Sequence, residues 1–304
     1  MQEARAFSPC HITGFFQIPD HPANSLCAGS RGAGVSLSRG VETVVKVSKA
    51  LKSSLQVNIN GFTANSAEVS KRVVDSFLSK FEEMENFEIF VEHHSEVPTG
   101  AGFGTSGAAA LSLALALNSV FGLDMSKIEA AQLAHIAEVE CKTGLGTVIA
   151  ETFGGVEIRV KPGAPGIGEI KHVPVPKNFV TASLTFGSLS TKKFLTDGEI
   201  RRRINKFGGK LVDRLIEEPN VTNFMNFSRQ FAEHVGLITE RIRRTLYAAD
   251  KAKFVCSIQM FGESVFTLVE KDSLEELLKI LRNYCSDGRI IVSEIDFEGA
   301  RLLK

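Results

Sequence analysis

One segment constrains this chain more than any other, a glycine-rich run that leads straight into an apolar helix. The run is Pro98-Thr-Gly-Ala-Gly-Phe-Gly-Thr-Ser-Gly-Ala-Ala-Ala110. Glycines let the backbone turn tightly and bring its N–H groups close to a ligand. The following helix adds free N–H groups and the positive end of its dipole, so the segment predicts a phosphate site. The alternative is a glycine-rich turn that ends in an N-capping Ser or Thr.

The residues after this run indicate a buried helix of a globular protein. The helix is predicted from Thr105 to about Phe121, and its apolar part, Ala108 to Leu117, is shorter than the ~20 residues that span a bilayer. The chain has 304 residues with 35 basic and 35 acidic side chains, a balance that argues against a dedicated nucleic-acid binder. We expect a cytoplasmic protein, because the N-terminus lacks a signal-peptide pattern and the five cysteines form no C-x-x-C pair.

The pattern of strands and helices predicts two α+β domains, residues 1–168 and 169–304. Prolines and glycines between Lys161 and Gly168 mark either a domain boundary or a long hairpin loop. A capping box of Ser126 and Glu129 opens a helix that runs to about Cys141. Other predicted elements of the first domain are strands at Ala33–Leu37 and Glu42–Val47 on either side of a turn, and strands at Gln56–Ile59 and Phe87–Glu92.

In the second domain, strands and helices alternate over roughly 130 residues, which suggests an α+β unit. The predicted elements are a strand at 180–186, helices in the 197–218 and 223–249 regions, strands at 254–258 and 264–269, a helix opened by Ser273 with Glu276, and a strand at 290–295.

Two common phosphate-binding motifs do not fit the chain. Gly102-Phe-Gly-Thr-Ser-Gly107 matches G-x-G-x-x-G, but a dinucleotide fold needs a strand that runs into the first glycine and a second strand with an acid. Here Pro98 separates strand from loop, and Asp124 lies between two helices. A Walker A loop ends in G-K-[ST], whereas Gly208-Gly-Lys210 is followed by Leu211.

The pattern P-x-x-x-G-[LF]-G-[ST]-S-[AG]-A remains, and it resembles the second motif of the GHMP kinases. This superfamily contains galactokinase and the homoserine, mevalonate and phosphomevalonate kinases. The matching residues are Pro98, Gly102, Gly104, Thr105, Ser106 and Ala108. Further matches are the segments Phe7–Phe16, Gly29–Gly34, Ala134–Glu138, Gly144–Gly146, Gly154–Gly155 and Met260–Gly262.

The resemblance implies a two-domain α+β fold, with an N-terminal domain like ribosomal protein S5 domain 2 and a ferredoxin-like C-terminal domain. Within the superfamily the chain is similar to the archaeal branch that phosphorylates pantoate to 4-phosphopantoate in coenzyme A biosynthesis. Two other interpretations stay open: a kinase for another small hydroxy acid or alcohol of the homoserine or mevalonate type, and a catalytically silent binding protein. The implied partner is a small molecule, without nucleic acid or membrane, and a homodimer is a family-level expectation.

ATP and Mg²⁺ are the cofactors that the resemblance implies. Ser106 and Glu138 would hold the metal. The alternative for Ser106 is a helix N-cap, and the alternative for Glu138 is a solvated position on the surface. His135 is expected to be packed or hydrogen-bonded rather than catalytic. The implied nucleotide contacts are Pro98, Gly100, Gly102, Phe103, Gly104, Thr105, Ser106 and Gly107.

The sequence departs from the family at the residue that often supplies a catalytic aspartate, where this chain has Thr147. A threonine cannot act as a base at neutral pH, so we expect positioning and Mg²⁺ to dominate catalysis by Ser106, Glu138 and Thr147. Glu151 is the nearest acid, one helical turn further on. It would substitute as the base only if its carboxylate reaches the acceptor hydroxyl, directly or through one water.

The acceptor site implied by the resemblance draws on both ends of the chain. Its expected residues are His11, Thr13, Gly14, Arg31 and Gly262. The guanidinium of Arg31 is the candidate partner for a substrate carboxylate, because it can bind one bidentately. The alternative for this residue is a solvated loop arginine.

Overall fold

A large, mainly antiparallel sheet carries the first part of the fold. The computed structural model describes residues 1–19, 23–79, 86–188, 198–260 and 262–304. The strand order is β12-β1-β2-β5-β3-β4, β6 pairs with β2 and β7 with β6, and β3 and β5 are parallel. The strands are β1 (Gln2–Gln17), β2 (Arg31–Lys49), β3 (Ser54–Ile59), β4 (Phe62–Thr63), β5 (Phe87–Ser95), β6 (Val156–Lys161), β7 (Glu169–His172) and β12 (Arg301–Leu303).

Four helices accompany this sheet: α1 (Glu68–Leu78), α2 (Thr105–Phe121), α3 (Lys127–Cys141) and α4 (Thr147–Phe153). Helix α2 lies against β1 and β2, and α1 and α3 pack on it. Its Ala and Leu side chains are buried on nearly every side, which confirms the predicted buried helix. The capping box of Ser126 and Glu129 is also present at the start of α3. No helix among the described residues is long and apolar enough to cross a membrane.

A second, antiparallel sheet has the strand order β11-β8-β10-β9. Its strands are β8 (Phe179–Ser188), β9 (Ser257–Ile258), β10 (Gly262–Glu270) and β11 (Arg289–Ser293). The helices α5 (Gly198–Glu217), α6 (Val221–Val235) and α7 (Glu240–Lys251) connect its first two strands, and α8 (Lys271–Arg282) connects its last two. This is the βαββαβ arrangement of a ferredoxin-like unit, so the predicted α+β class is confirmed.

Phenylalanines join the two parts of the molecule. Phe15 and Phe16 near the end of β1 meet Phe224, Phe227 and Phe231 on α6, with ring centroids between 5.7 and 6.5 Å apart. Buried aromatic pairs at such separations contribute about 0.5–1.5 kcal/mol each beyond the area that they bury. They hold β1, whose side chains reach the site described below, against the second part of the chain.

Three predicted elements differ from the structure. No turn interrupts β2 at residues 38–40, because a bulge opposite Pro9 and Cys10 absorbs the extra residues while the strand continues. The 223–249 helix is two helices, since Gly236 ends α6 in a left-handed conformation. Helix α8 begins at Lys271 with Glu270 as its N-cap, two residues before the predicted Ser273.

The segment from Lys161 to Gly168 is the loop of a hairpin. Strand β6 pairs with β7 across it, so the first sheet continues past the predicted boundary at residue 168. At the far end of the chain, β12 returns to pair with β1. The first sheet therefore contains strands from both predicted domains, 1–168 and 169–304, because sheet pairing joins segments that are distant in the sequence.

Candidate active site

The glycine-rich run forms a loop between β5 and α2 whose backbone requires glycine. Gly102 has φ of +88° and Gly104 has φ of +65°, both in the left-handed region. Gly104 is the N-cap of α2, and no side chain caps the first turn. The alternative of a Ser or Thr cap is therefore wrong, and the N–H groups of the first turn stay available to an anion.

Close packing by α4 and by the second sheet holds this loop in place. A Cβ on Gly104 would lie 2.6 Å from the Thr147 methyl carbon, and one on Gly107 would lie 2.9 Å from a Glu151 carboxylate oxygen. From the second sheet, Gly262 approaches so closely that a Cβ there would lie 2.0 Å from the Ala101 carbonyl oxygen. Gly262 thus supports the loop backbone. The sequence predicted it as a residue of the acceptor site, but it is not part of the cavity wall.

A cavity of about 220 Å³ opens beside the loop. Among the predicted site residues, its wall contains His11, Thr13, Gly100, Gly102, Phe103, Gly104, Thr105, Ser106 and Thr147. Pro98, Gly107, Glu138, Gly14 and Arg31 are not part of the wall. Gly14 instead packs against α6, where a Cβ would lie 2.2 Å from the Ser228 hydroxyl oxygen.

Ser106 and Glu138 come together at the start of α2, as the resemblance implies. The Glu138 carboxylate is 2% exposed and accepts a hydrogen bond of 2.6 Å from the Thr143 hydroxyl and another from Ser106. Burial raises the pKa of Glu138, while these two hydroxyl donors oppose the rise. The solvated-surface alternative for Glu138 is therefore wrong, because its side chain is buried.

A second cavity, of about 200 Å³, adjoins the first. The two cavities share Thr99, Thr105, Ser106 and Thr143 in their walls, so the start of α2 separates them. The surface of the second cavity is more apolar than that of the first and includes Val41, Ile59, Ala67, Val69 and Ala109, although polar side chains such as Glu68 and His93 also line it. A molecule with an anionic part at the helix start thus has a more apolar space on one side and a less apolar space on the other.

The basic residue of the first cavity is Arg159, not the predicted Arg31. Arg31 bonds to Asp213 at 2.6 Å and to the Val160 carbonyl at 2.8 Å, outside the cavity wall. Arg159 lies in the wall, is 1% exposed and donates to Glu157. Its Nε has no hydrogen-bond partner within the described part of the chain. A buried guanidinium with a free donor is suited to an anionic ligand.

His11 completes a polar row across the sheet. Its Nε2 lies 3.0 Å from Glu157 Oε1, and its Nδ1 lies 3.4 Å from the Thr13 hydroxyl oxygen. Burial alone would raise the pKa of Glu157, but the neighbouring His11 and Arg159 lower it below its usual value. Glu157 is therefore held as an anion between two basic side chains.

Glu151 does not reach the cavity. It is 0% exposed, and neither of its carboxylate oxygens has a hydrogen-bond partner among the residues that the structure describes. Burial, followed by the charges of Glu138 and Glu157, raises its pKa well above the usual value. A second buried residue, His135, bonds to the Ala28 carbonyl at 2.9 Å, as expected for a packed histidine.

Comparison with known proteins agrees with this geometry. Residues 68–155 match the GHMP kinases N terminal domain. The pantoate kinase of Thermococcus kodakarensis is 36% identical over 283 residues, 91% of each chain, and that of Methanocaldococcus jannaschii is 36% identical over 91% of this chain and 97% of its own. A solved structure described as a phosphotransferase related to the CoA biosynthesis pathway has a TM-score of 0.89 and 32% identity, covering 99% of this chain and 98% of that one.

The chain belongs to the pantoate kinase family of the GHMP kinases. It is therefore a small-molecule kinase, and ATP is the phosphate donor of its superfamily. The matched domain contains the loop, Ser106, Glu138 and Thr147. Ser30 lines the cavity of this kinase and lies in the Gly29–Gly34 segment of the resemblance. Arg159, also in the wall, was not predicted, because a lone arginine on a strand gave no signal.

Proposed function

We propose that this protein transfers the terminal phosphoryl group of ATP to pantoate, giving 4-phosphopantoate for coenzyme A biosynthesis. The observation that carries the proposal is the position of a buried cation, Arg159, in the same cavity as the phosphate-type loop. Pantoate has a carboxylate at one end and a primary hydroxyl at the other. A carboxylate bound at Arg159 leaves the hydroxyl free to face the loop.

The two cavities suit the two substrates. We assign the second, more apolar cavity to the nucleoside part of ATP and the first cavity, which contains Arg159, to the acceptor, because the start of α2 lies between them. The N–H groups of the first turn of α2 would bind phosphate oxygens at that point. This arrangement brings the donor phosphate and the acceptor hydroxyl together, and positioning supplies most of what phosphoryl transfer needs from a protein.

The donor atoms at the start of α2 fit Mg²⁺. Ser106 and Glu138 offer a hydroxyl and a carboxylate, the hard oxygen ligands that this ion prefers. The described residues contain no group of three His, Cys, Asp or Glu side chains able to hold a metal. The protein would thus supply few ligands, as is usual for Mg²⁺ bound together with nucleotide phosphates, where it neutralises charge on the phosphate oxygens.

Other residues of the cavity position the acceptor. Gly146 lets the chain approach the carboxylate site, since a Cβ there would lie 2.4 Å from the Ser30 hydroxyl oxygen and 2.8 Å from Arg159 Nε. Thr147 lies in the wall beside the loop, where its hydroxyl is available to the acceptor. Ser30, Thr147 and Arg159 together would orient a hydroxy acid without forming a covalent bond to it.

An ATP-consumption assay with a panel of acceptors tests the substrate. We expect turnover with pantoate to exceed turnover with homoserine or mevalonate by a wide margin, with the phosphorylated product identified by mass. Product from another alcohol and none from pantoate would retain the kinase and refute the pantoate assignment. Absence of turnover with every acceptor, despite ATP binding, would support a silent binding protein.

Two substitutions test the proposed metal site. Ser106→Ala and Glu138→Gln should each lower turnover strongly, because each removes one oxygen ligand, while circular dichroism reports an intact fold. Glu88→Gln, at an exposed glutamate of β5, is the matched control for the loss of one carboxylate. Near-normal turnover in both purified variants would refute the roles of Ser106 and Glu138.

The cellular location and the oligomeric state of the protein are also part of the proposal. We propose a cytoplasmic location, supported by the five cysteines being free thiols. A homodimer stays a family-level prediction, which light scattering of the purified protein tests.

A further inference from the structure

Thr147 is not an acid and Glu151 lies outside the cavity wall, so neither residue that the sequence analysis considered as the base can take the acceptor proton. We propose that His11, held by Glu157, is the general base that takes the proton from the acceptor hydroxyl. This inference rests on the proposed kinase function and adds a catalytic residue to it. It replaces the expectation of a reaction without a base.

The position of His11 depends on a glycine in the strand beside it. In the sheet, β2 pairs with β1 on one side and β6 on the other, and Gly34 stands opposite both Thr13 and Glu157. A Cβ on Gly34 would lie 2.2 Å from His11 Nε2. The missing side chain therefore gives the imidazole room to cross β2 and reach Glu157 on β6.

The hydrogen bonds of the ring decide which nitrogen can accept a proton. Glu157 is held as an anion, and a carboxylate only accepts hydrogen bonds, so Nε2 of His11 must donate to it. In the neutral ring the lone pair is then on Nδ1, the nitrogen that lies 3.4 Å from the Thr13 hydroxyl. Both His11 and Thr13 are part of the cavity wall, and we place Nδ1 toward the acceptor.

The ion pair with Arg159 relates this base to the acceptor. His11 Nε2 and a guanidinium nitrogen of Arg159 both contact Oε1 of Glu157. A hydroxy acid whose carboxylate binds Arg159 thus lies in the same cavity as the imidazole. The base and the carboxylate anchor are oriented by one carboxylate, which makes Glu157 a positioning residue for both.

The proposed step moves one proton to His11 and one phosphoryl group to the acceptor. The acceptor O–H bond breaks as its proton moves to Nδ1 of neutral His11, and the acceptor oxygen forms the new bond to the γ-phosphorus. The bond from that phosphorus to the bridging oxygen breaks, and ADP leaves with the electron pair. The resulting imidazolium is stabilised by the Glu157 carboxylate and returns its proton to solvent after product release.

Substitution of the ring by an amide tests the base. His11→Gln keeps an N–H donor for Glu157 but has no basic nitrogen, and we expect kcat to fall by about 10²–10⁴-fold. The KM for pantoate and the affinity for ATP should change little. His172→Gln is the matched control, because this histidine bonds to the Gly154 carbonyl and is not in the wall of either cavity.

The pH profile separates a base from a structural residue. A reaction that uses a general base should lose kcat at low pH, and His11→Gln should lose this limb. Glu157→Gln should lower kcat, since the carboxylate that orients the imidazole is removed. The charged or titratable groups on the elements around the ring are Glu157 and Arg159 on β6, Glu151 on α4 and Glu138 on α3, and these side chains stay unchanged in His11→Gln.

Several results would overturn the proposal. A His11→Gln protein with more than about a tenth of wild-type kcat, or with its acid limb intact, excludes His11 as the base. A higher KM with unchanged kcat would make it a binding residue instead. If His11→Gln does not fold, Glu157→Gln decides alone, and an unchanged kcat refutes the pair. Failure of wild-type protein to phosphorylate pantoate refutes the substrate, and the kcat ratio is then measured with whichever acceptor the panel identifies.

Discussion

The buried carboxyl group of Glu151 should make the stability of the protein depend on pH, and its replacement should leave turnover unchanged. Its oxygens have no hydrogen-bond partner within the described residues, and its pKa is raised by burial and by Glu138 and Glu157. Between the ordinary value of about 4.5 and the raised value, the folded protein holds a proton that the unfolded chain has released. The native state then binds one more proton than the unfolded state, so stability falls as pH rises through this window.

The size of this pH effect follows from the difference in bound protons between the folded and unfolded states. One extra proton in the native state lowers the free energy of unfolding by about 1.4 kcal/mol for each pH unit within the window. Glu151→Gln is neutral at every pH and removes this contribution. The stability of the variant relative to wild type should therefore rise by about 1.4 kcal/mol per pH unit, on top of a constant difference from the buried amide.

Urea unfolding at a series of pH values above 5 measures this difference for both proteins. Glu88→Gln, at an exposed position, shows the effect of removing a carboxyl elsewhere. Parallel stability curves for wild type and Glu151→Gln would refute a proton held on Glu151. We also expect turnover to be kept, because Glu151 is not part of the cavity wall. A loss of a hundredfold or more, with nucleotide binding unchanged, would make Glu151 the base and exclude His11.

Three further substitutions test the site. Gly104→Ala should weaken nucleotide binding measured by calorimetry, because its left-handed backbone costs about 1–2 kcal/mol with a side chain and its Cβ would lie 2.6 Å from Thr147. Gly122→Ala is the control, since Gly122 is also left-handed but has open space around it, and this variant should bind nucleotide normally. Arg159→Lys should raise the pantoate KM at least about tenfold, since lysine lacks the bidentate fork, and an equal rise in Arg31→Lys would return the anchor to Arg31. Thr147→Ala should lower kcat less than about tenfold; a larger loss would assign this hydroxyl a direct role in the transfer.

Short-range features were predictable from the sequence. The phosphate loop, the buried α2 and the capping box of α3 each depend on residues within one or two turns of one another. The ends of larger elements were harder to predict from the sequence. The bulge that lets β2 continue past residues 38–40 requires knowledge of its pairing with β1, and the hairpin across residue 168 requires the pairing of β6 with β7.

The acceptor side of the site was decided by the tertiary structure. His11 and Glu157 are separated by 146 positions, and only the pairing of β1 and β6 with the same strand brings them together. The sequence favoured Arg31 because it lies in a segment that resembles the family, but its side chain bonds to Asp213 outside the cavity. Arg159 had no local pattern to mark it.

The sequence by itself thus determined the family, the α+β class, the phosphate loop and the proximity of Ser106 to its helix start. The tertiary structure decided which charged side chains share the cavity with that loop. The physical reason is the range of the interactions: backbone turns and helix starts are set by neighbouring residues, whereas a buried ion pair forms only where strand register aligns distant side chains. The contact between His11 and Glu157 also requires Gly34, whose missing side chain leaves the space that His11 occupies.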